Sequence, residues 1–197
     1  TTYDCSQFNN AFIAVPADGT SPEMSMLLWN EFDGTTISPT RDGDLDGDII
    51  WHEYGHGLTW RMIGNMSGNV SGAIGEGMSD ALAIIEYSDD VVGEYSTNNA
   101  NGIRSEPYDG YSRTIGDFDG GAFKIHFDGE IYAATLWRLW EIFQTNSLSK
   151  EKLVSYMVDG MNFTPSGPDY LDMRDGLLAA APNSIDCHIW QAFSEFG

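Results

Sequence analysis

The sequence is poor in basic residues and in long apolar runs, and each shortage argues against a class of protein. Lysine and arginine number 9 against 30 aspartates and glutamates, for a formal net charge of -21. Because nucleic acids are bound through clustered basic side chains, we expect no nucleic-acid partner. No stretch approaches the roughly 18 consecutive apolar residues of a membrane-spanning helix, so we expect no membrane partner either.

Cysteine is also scarce. The two cysteines, Cys5 and Cys187, lie near opposite ends of the chain, and neither occurs in a C-x-x-C spacing. We therefore predict a Cys5–Cys187 disulfide that ties the two ends together rather than a pair of metal ligands. Two buried free thiols are the alternative.

The hydrophobic pattern predicts one α+β domain over residues 1–197, with a β-rich region at 1–50 and a mainly helical body at 51–197. Short apolar runs between turn signals predict strands at 11–15 and 24–29. Apolar residues spaced three to four apart predict six helices, at 49–63, 73–87, 123–143, 150–161, 170–181 and 185–196.

The segment from His52 to His56 reads H-E-Y-G-H and matches the pattern H-E-x-x-H. Residues four apart share a helix face, so both imidazoles can bind one metal ion while Glu53 points toward a metal-bound water. Zinc lowers the pKa of such a water toward 7, and a carboxylate can then take its proton. The motif predicts a zinc site with Glu53 as general base.

A catalytic zinc site needs a third protein ligand, and Glu76 is the obvious donor. It lies 20 residues after His56, at the start of the next predicted helix. Asp80 is one helical turn further on, where it could accept a hydrogen bond from a ligand imidazole.

Several segments together resemble the fungalysin family of secreted zinc metallopeptidases, which is related to thermolysin. They are Asn9 to Phe12, Met24 to Trp29, Arg41 to Asp46, His52 to Leu58, Gly75 to Asp80, His126 to Ala133, Val158 to Met161, Ala179 to Ala181 and Cys187 to Phe193. The resemblance covers nearly the whole chain and implies a thermolysin-like zincin fold, secretion and endopeptidase activity.

The resemblance also implies roles for residues outside the zinc motif. His126 would donate a hydrogen bond to the oxyanion of the tetrahedral intermediate, and Arg104 would contact a substrate carbonyl. Asn10 and the carbonyl of Ala11 would hold the substrate backbone. Residues that would line the pocket for an apolar side chain after the cut bond are Ile49 and Ile103.

Three features depart from the family pattern, and one of them, Met78 in place of the family's usual Trp after Gly-Glu-Gly, changes packing more than chemistry. Thermolysin has a tyrosine oxyanion donor between its second histidine and its glutamate, but residues 57–75 contain no tyrosine. Tyr108 or Tyr111 could replace it, or His126 could act alone. Fungalysins usually carry a larger β-rich portion before the Asn-Asn-Ala segment, so the upper wall of the cleft is expected to be minimal.

Acidic residues before the zinc motif offer a competing interpretation. Asp42 to Asp48 followed by Glu53 satisfies the EF-hand pattern. In an EF-hand, however, Glu53 would be a calcium ligand and could not also be the general base, and the sequence predicts no helix before Asp42. We interpret it as a chance match. The alternative for these acids is a thermolysin-like calcium site, in which Asp48 joins Glu86, Asp89, Asp90 or Glu94.

We therefore expect a monomeric zinc endopeptidase that acts on protein or peptide substrates, with one catalytic Zn²⁺ and a possible Ca²⁺. The rival hypothesis is a non-enzymatic acidic calcium-binding or adhesion module, which predicts bound calcium and no dependence on Glu53. A serine or cysteine hydrolase has little support, because the sequence has no G-x-S-x-G motif and no reactive-cysteine context.

Overall fold

Two short hairpins precede a mainly helical body in the computed structural model, which describes residues 7–121 and 123–197. The strands are β1 (Ala11–Ala14), β2 (Glu23–Met26), β3 (Leu28–Phe32) and β4 (Thr35–Asp42). The helices are α1 (Gly47–Met62), α2 (Asn69–Tyr87), α3 (Glu94–Thr97), α4 (Ile125–Thr145), α5 (Lys150–Gly160), α6 (Tyr170–Ala180) and α7 (Asp186–Phe196). The predicted α+β class is confirmed.

The strands form two separate antiparallel pairs, β1 with β2 and β3 with β4. The apolar run at 24–29 predicted one strand, but the chain changes sheets at Leu27. There the Leu27 N–H donates to the Asn10 carbonyl at 3.2 Å, and the Leu27 carbonyl accepts from the Gly43 N–H at 3.1 Å. Strand β4 was not predicted, because its residues are mostly polar and include Pro39.

The six predicted helices are confirmed, most of them to within about two residues at each end. The largest difference is α2, which begins at Asn69 rather than at residue 73, directly after Gly68 with its positive φ of 94°. The four-residue helix α3 was not predicted, because it is too short to show an apolar period. Among the described residues, no helix has the length and apolar character needed to cross a membrane.

Helix α2 lies at the centre of the hydrophobic core, and every residue from Ala73 to Ile85 is buried. Two glycines allow its neighbours to approach closely. A Cβ atom at Gly55 of α1 would lie 2.6 Å from the Cα of Ser79, and a Cβ at Gly77 would lie 2.3 Å from the Gly129 carbonyl of α4. Since neither space could hold a methyl group, these glycines set how near α1 and α4 lie to α2.

Candidate metal centre and cleft

Helix α1 carries the H-E-x-x-H motif on a buried face. Its N-terminus is capped by Asp46, whose Oδ1 accepts from the backbone N–H groups of Asp48 and Ile49 at 3.2 and 3.4 Å. His52 is 6% exposed and Glu53 is 5% exposed. The helix therefore holds the motif against α2 instead of presenting it to solvent.

The side chains of His52, His56 and Glu76 meet between α1 and α2. Their candidate ligand atoms all lie within 4.8 Å of one another, and they form one group suited to a metal ion within residues 7–121 and 123–197. The Oε2 atom of Glu76 is 3.3 Å from His52 Nε2 and 3.6 Å from His56 Nε2. This Oε2 is buried, and the imidazole nitrogens beside it form no hydrogen bond of normal geometry with it, as expected where a cation would lie between them.

Asp80 holds the other ring nitrogen of His52. Its Oδ1 lies 2.6 Å from His52 Nδ1, so the carboxylate orients the imidazole and leaves Nε2 to face Glu76. Arg104 donates to the same carboxylate from Nε at 2.6 Å and from Nη2 at 2.9 Å, and the Tyr108 hydroxyl donates to Oδ2. Asp80, which is 1% exposed, thus joins the metal group to the segment that carries Arg104.

The charges at this centre shift several pKa values. Burial disfavours protonated His52, but the carboxylates of Asp80 and Glu76 outweigh it and raise the pKa of His52 to about 9. Burial would raise the pKa of Asp80, but Arg104 and His52 hold it well below the usual value. Burial likewise opposes ionisation of Glu76, whose pKa the two histidines nevertheless keep well below 4.5. The centre therefore keeps two buried carboxylates ionised.

Glu53 behaves differently from the other two carboxyls. Burial raises the pKa of Glu53 above 4.5, although the positive charges of His52, His56 and Arg104 oppose the shift. A carboxylate with a raised pKa is a stronger base, which suits a group that must take up a proton.

A cleft of about 380 Å³ opens over this centre. Its walls come from β1, from α1 and from the segment around Arg104. The lining residues are Asn10, Ala11, Phe12, Ile13, Trp29, Ile49, His52, Glu53, His56, Trp60, Glu76, Ile103, Arg104 and His126. All five residues predicted to bind substrate thus lie in the same cleft as the candidate ligands, and so do Glu53 and His126.

His126 lies in the first turn of α4, at the mouth of the cleft. Its Nε2 is 3.2 Å from Glu76 Oε2, and its side chain is 58% exposed. An imidazole in this position can reach a group bound beside Glu76 while remaining open to solvent.

Neither tyrosine suggested as an oxyanion donor is available. Tyr108 is 2% exposed and donates its hydroxyl to Asp80, while Tyr111 is 7% exposed and donates to Glu130 at 3.1 Å. Neither lines the cleft. The suggestion that Tyr108 or Tyr111 replaces the missing tyrosine is therefore wrong, because both hydroxyls serve to anchor buried carboxylates.

Glu130 is a functional candidate that the sequence did not indicate. This α4 residue is 3% exposed, and its carboxylate accepts from the Ser105 backbone N–H at 3.3 Å, from the Ser105 hydroxyl and from Tyr111. Ser105 follows Arg104 directly, so Glu130 fixes the segment that brings Arg104 to the cleft. The sequence feature that could have indicated Glu130 is its place as an acidic residue on the apolar face of a predicted helix, where a carboxylate needs partners.

The EF-hand pattern has no structural counterpart. Strand β4 ends at Asp42, where an EF-hand would have a helix, and Glu53 faces the cleft. Asp46 is occupied by capping α1 and by accepting from the Ser96 N–H at 2.8 Å. The interpretation of this pattern as a chance match is consistent with these contacts.

The residues proposed for calcium are partly engaged elsewhere. Asp48 Oδ2 accepts from the Gly93 N–H at 3.1 Å, and Glu94 lies beside Asp48. Glu86 instead pairs with Lys150, with 3.8 Å between Oε2 and Nζ. Asp48 and Glu86 do not belong to the metal-suited group found among the described residues, so a calcium site stays a prediction.

The predicted disulfide also stays a prediction. Cys187 is exposed in the first turn of α7, and Cys5 lies outside the described residues.

Fold and site together define a metallopeptidase-type domain, in which an H-E-x-x-H helix and a glutamate on the next helix face one cleft. The family model described as fungalysin metallopeptidase (M36) matches residues 1–197. The chain belongs to the fungalysin family, and the resemblance recognised in its sequence is confirmed.

Curated relatives support the same assignment. Extracellular metalloproteinase 2 of Trichophyton tonsurans is 31% identical over 232 residues, which cover 98% of this chain and 36% of the relative. Extracellular metalloproteinase MEP of Fusarium vanettenii is 31% identical over 236 residues, with the same coverage. The chain therefore spans about a third of the length of these relatives. Both alignments are longer than the 197-residue chain, so the relatives carry additional residues inside the matched region.

Proposed function

We propose that this chain is a secreted zinc endopeptidase whose metal is held by His52, His56 and Glu76. The observation that carries the proposal is the convergence of the buried Glu76 Oε2 with the Nε2 atoms of both histidines, at 3.3 and 3.6 Å. Family membership supports peptidase activity, and the names of the relatives support an extracellular location.

The donor set fits zinc better than calcium. Two imidazoles and one carboxylate are a ligand set of catalytic zinc sites, whereas calcium takes six to eight oxygen ligands. Asp80 on the far nitrogen of His52 is the kind of partner that metal-bound histidines usually have. When bound, zinc supplies a Lewis acid that polarises the scissile carbonyl and acidifies the attacking water.

In the proposed reaction Glu53 is the general base and then the general acid. Its carboxylate takes a proton from the attacking water as the water oxygen forms a bond to the carbonyl carbon. Glu53 then delivers that proton to the amine nitrogen as the C–N bond breaks. His126 and Arg104 donate hydrogen bonds to the oxyanion in the intervening tetrahedral state.

We expect substrate to bind in extended form along β1. Asn10 and the Ala11 carbonyl lie in the cleft, where they can bond to a substrate backbone as an added strand would. Ile49 and Ile103 both lie beside Gly93. A Cβ atom added at Gly93 would be 3.2 Å from Ile49 Cδ1 and 3.6 Å from Ile103 Cγ2. This apolar wall supports a preference for an apolar side chain after the cut bond.

The Glu53→Gln variant tests the proposal. A glutamine at this position keeps the size of the side chain but cannot accept the proton, so we expect casein hydrolysis to fall at least about a hundredfold while zinc content is unchanged. Glu151→Gln, a change on the exposed surface of α5, is the matched control and should keep full activity. A Glu53→Gln variant as active as the control would rule out this role.

A further inference from the structure

The cleft extends along α1 well beyond the metal centre and reaches Trp60. Four α1 residues that line the cleft are spaced three to four apart and therefore share one helix face, namely Ile49, His52, His56 and Trp60, and Glu53 lines the cleft beside His52. Ile49 and Trp60 are eleven positions apart, or about 16 Å along a helix axis. The metal ligands lie between them, so the cleft has an Ile49 end and a Trp60 end.

Strand β1 runs in the same direction as α1. Just before β1 begins, the Asn10 carbonyl accepts from the Leu27 N–H. The Leu27 carbonyl in turn accepts from the N–H of Gly43, which lies shortly before α1 in the chain. At its far end, Ile13 lies beside the second half of α1, because a Cβ at Gly57 would be 3.2 Å from Ile13 Cδ1. The beginning of β1 is thus near the Ile49 end of the cleft and its end is near Trp60.

This direction fixes which part of a substrate meets Trp60. Strand β1 pairs with β2 along one edge, and within the described part of the chain no strand pairs with its other edge. An extended peptide that adds to that edge antiparallel to β1, the arrangement of both strand pairs here, runs from the Trp60 end to the Ile49 end. Residues before the cut bond then lie at Trp60, and the residue after it lies at Ile49.

The indole of Trp60 offers an apolar surface to a substrate side chain. Trp60 is 42% exposed and also lines a neighbouring cavity of about 290 Å³, together with Val15, Pro16, Asp18 and Arg61. The loop that forms this cavity is held in place by Arg61, which donates to Asp18 and to the Thr20 carbonyl. A partly exposed indole on an anchored wall offers a large apolar contact at little cost in side-chain entropy.

We propose that Trp60 is a specificity-determining residue that selects a large apolar side chain at the second or third residue before the cut bond. The inference rests on the proposed peptidase function. The position of the selected side chain follows from distance. Trp60 is four residues beyond His56, or about 6 Å along the helix, and an extended substrate advances about 3.4 Å per residue, so Trp60 lies about two substrate residues from the metal centre. Ile13, whose Cδ1 lies beside Gly57, lines the same cleft.

Peptides that differ at single positions test the proposal. A quenched fluorescent series with a fixed leucine after the cut bond carries phenylalanine, leucine, alanine or serine at each of the three positions before it. We expect the zinc-loaded protein to prefer phenylalanine over serine at the second or third position by about tenfold in kcat/KM. Trp60→Ala should reduce that ratio to about twofold or less, and Trp60→Phe should retain most of it.

Tyr54→Ala is the matched control, because Tyr54 is an exposed aromatic residue of the same helix, 48% exposed, that does not line the cleft. It should leave the ratio unchanged. Cleavage without preference at these positions, or a Trp60→Ala variant that keeps the preference, would overturn the inference and leave the proposed function intact. If the zinc-loaded wild-type chain cleaves no peptide, the proposed function fails first and the inference fails with it.

Discussion

Replacing Asp80 by asparagine should both destabilise the metal-free chain and weaken zinc binding. The Asp80 carboxylate, 1% exposed, accepts from His52 at 2.6 Å, from Arg104 at 2.6 and 2.9 Å, and from the Tyr108 hydroxyl. An asparagine has one acceptor oxygen, and its NH₂ group would face a donor. Arg104, whose side chain is 9% exposed, would be left with a buried and unpaired charge.

Breaking a buried ion pair by removing one partner costs about 3 to 5 kcal/mol, so we expect the free energy of unfolding to fall by that amount. Urea denaturation in the presence of a chelator measures this directly. Loss of the carboxylate behind His52 should also weaken zinc affinity by about 10- to 100-fold, measured by competition with a chromophoric chelator.

The matched control is Asp175→Asn, which removes a carboxylate that is 63% exposed and pairs with its neighbour Arg174. Exposed pairs contribute about 0 to 1 kcal/mol, so this variant should differ little from wild type. If Asp80→Asn were as stable as Asp175→Asn, the interpretation of Asp80 as the link between the metal centre and the Arg104 segment would be refuted.

Three further predictions concern other titratable groups. Because the pKa of His52 is about 9, zinc must displace a proton below that pH, and zinc affinity should rise about tenfold per pH unit between pH 7 and 9. Burial, with the nearby carboxylates, raises the pKa of Asp48 from 3.8 to about 7, so ionisation of Asp48 opposes folding. In the absence of calcium, we expect Asp48→Asn to be about 1 to 2 kcal/mol more stable than wild type at pH 8, after allowance for solvent screening. Below about pH 4, where Asp48 is protonated in both the folded and the unfolded chain, the two proteins should be equally stable. Glu130→Gln should lower the free energy of unfolding by about 1 to 3 kcal/mol, since an amide with its oxygen in the place of Oε2 turns its NH₂ group toward the Ser105 backbone N–H, from which Oε1 of the carboxylate accepts.

Each of these predictions has a contradicting result. A zinc affinity independent of pH between 7 and 9 would show that His52 is not protonated in the metal-free chain. An Asp48→Asn variant less stable than wild type at pH 8 under chelating conditions would show that the ionised carboxylate stabilises the fold. A Glu130→Gln variant with unchanged stability would show that Glu130 does not anchor the Arg104 segment.

The candidate metal ligands could be predicted from sequence because their geometry is mostly local. A spacing of four residues places His52 and His56 on one helix face whatever the rest of the chain does. Glu76 and Asp80 follow the same rule on the next helix, which needs only to pack against the first. The glycine at position 55 that permits this packing lies inside the motif itself.

The parts that sequence reasoning missed depend on contacts between distant segments. Tyr108 and Tyr111 became candidate oxyanion donors because tyrosine is the right residue type, but buried carboxylates on α2 and α4 bind their hydroxyls. The importance of Glu130 likewise depends on the segment at 104–111 reaching α4. The strand break at Leu27 depends on backbone bonds to Asn10 and Gly43, which no local apolar pattern encodes.

The central claim is that His52, His56 and Glu76 hold a zinc ion that the cleft uses to cut peptide bonds. The most direct test is elemental analysis of the purified chain together with casein hydrolysis, with and without 1,10-phenanthroline. We predict about one zinc per chain and cleavage that the chelator abolishes and added zinc restores. Bound calcium without zinc, and no cleavage after zinc is supplied, would contradict the account and favour an acidic calcium-binding module.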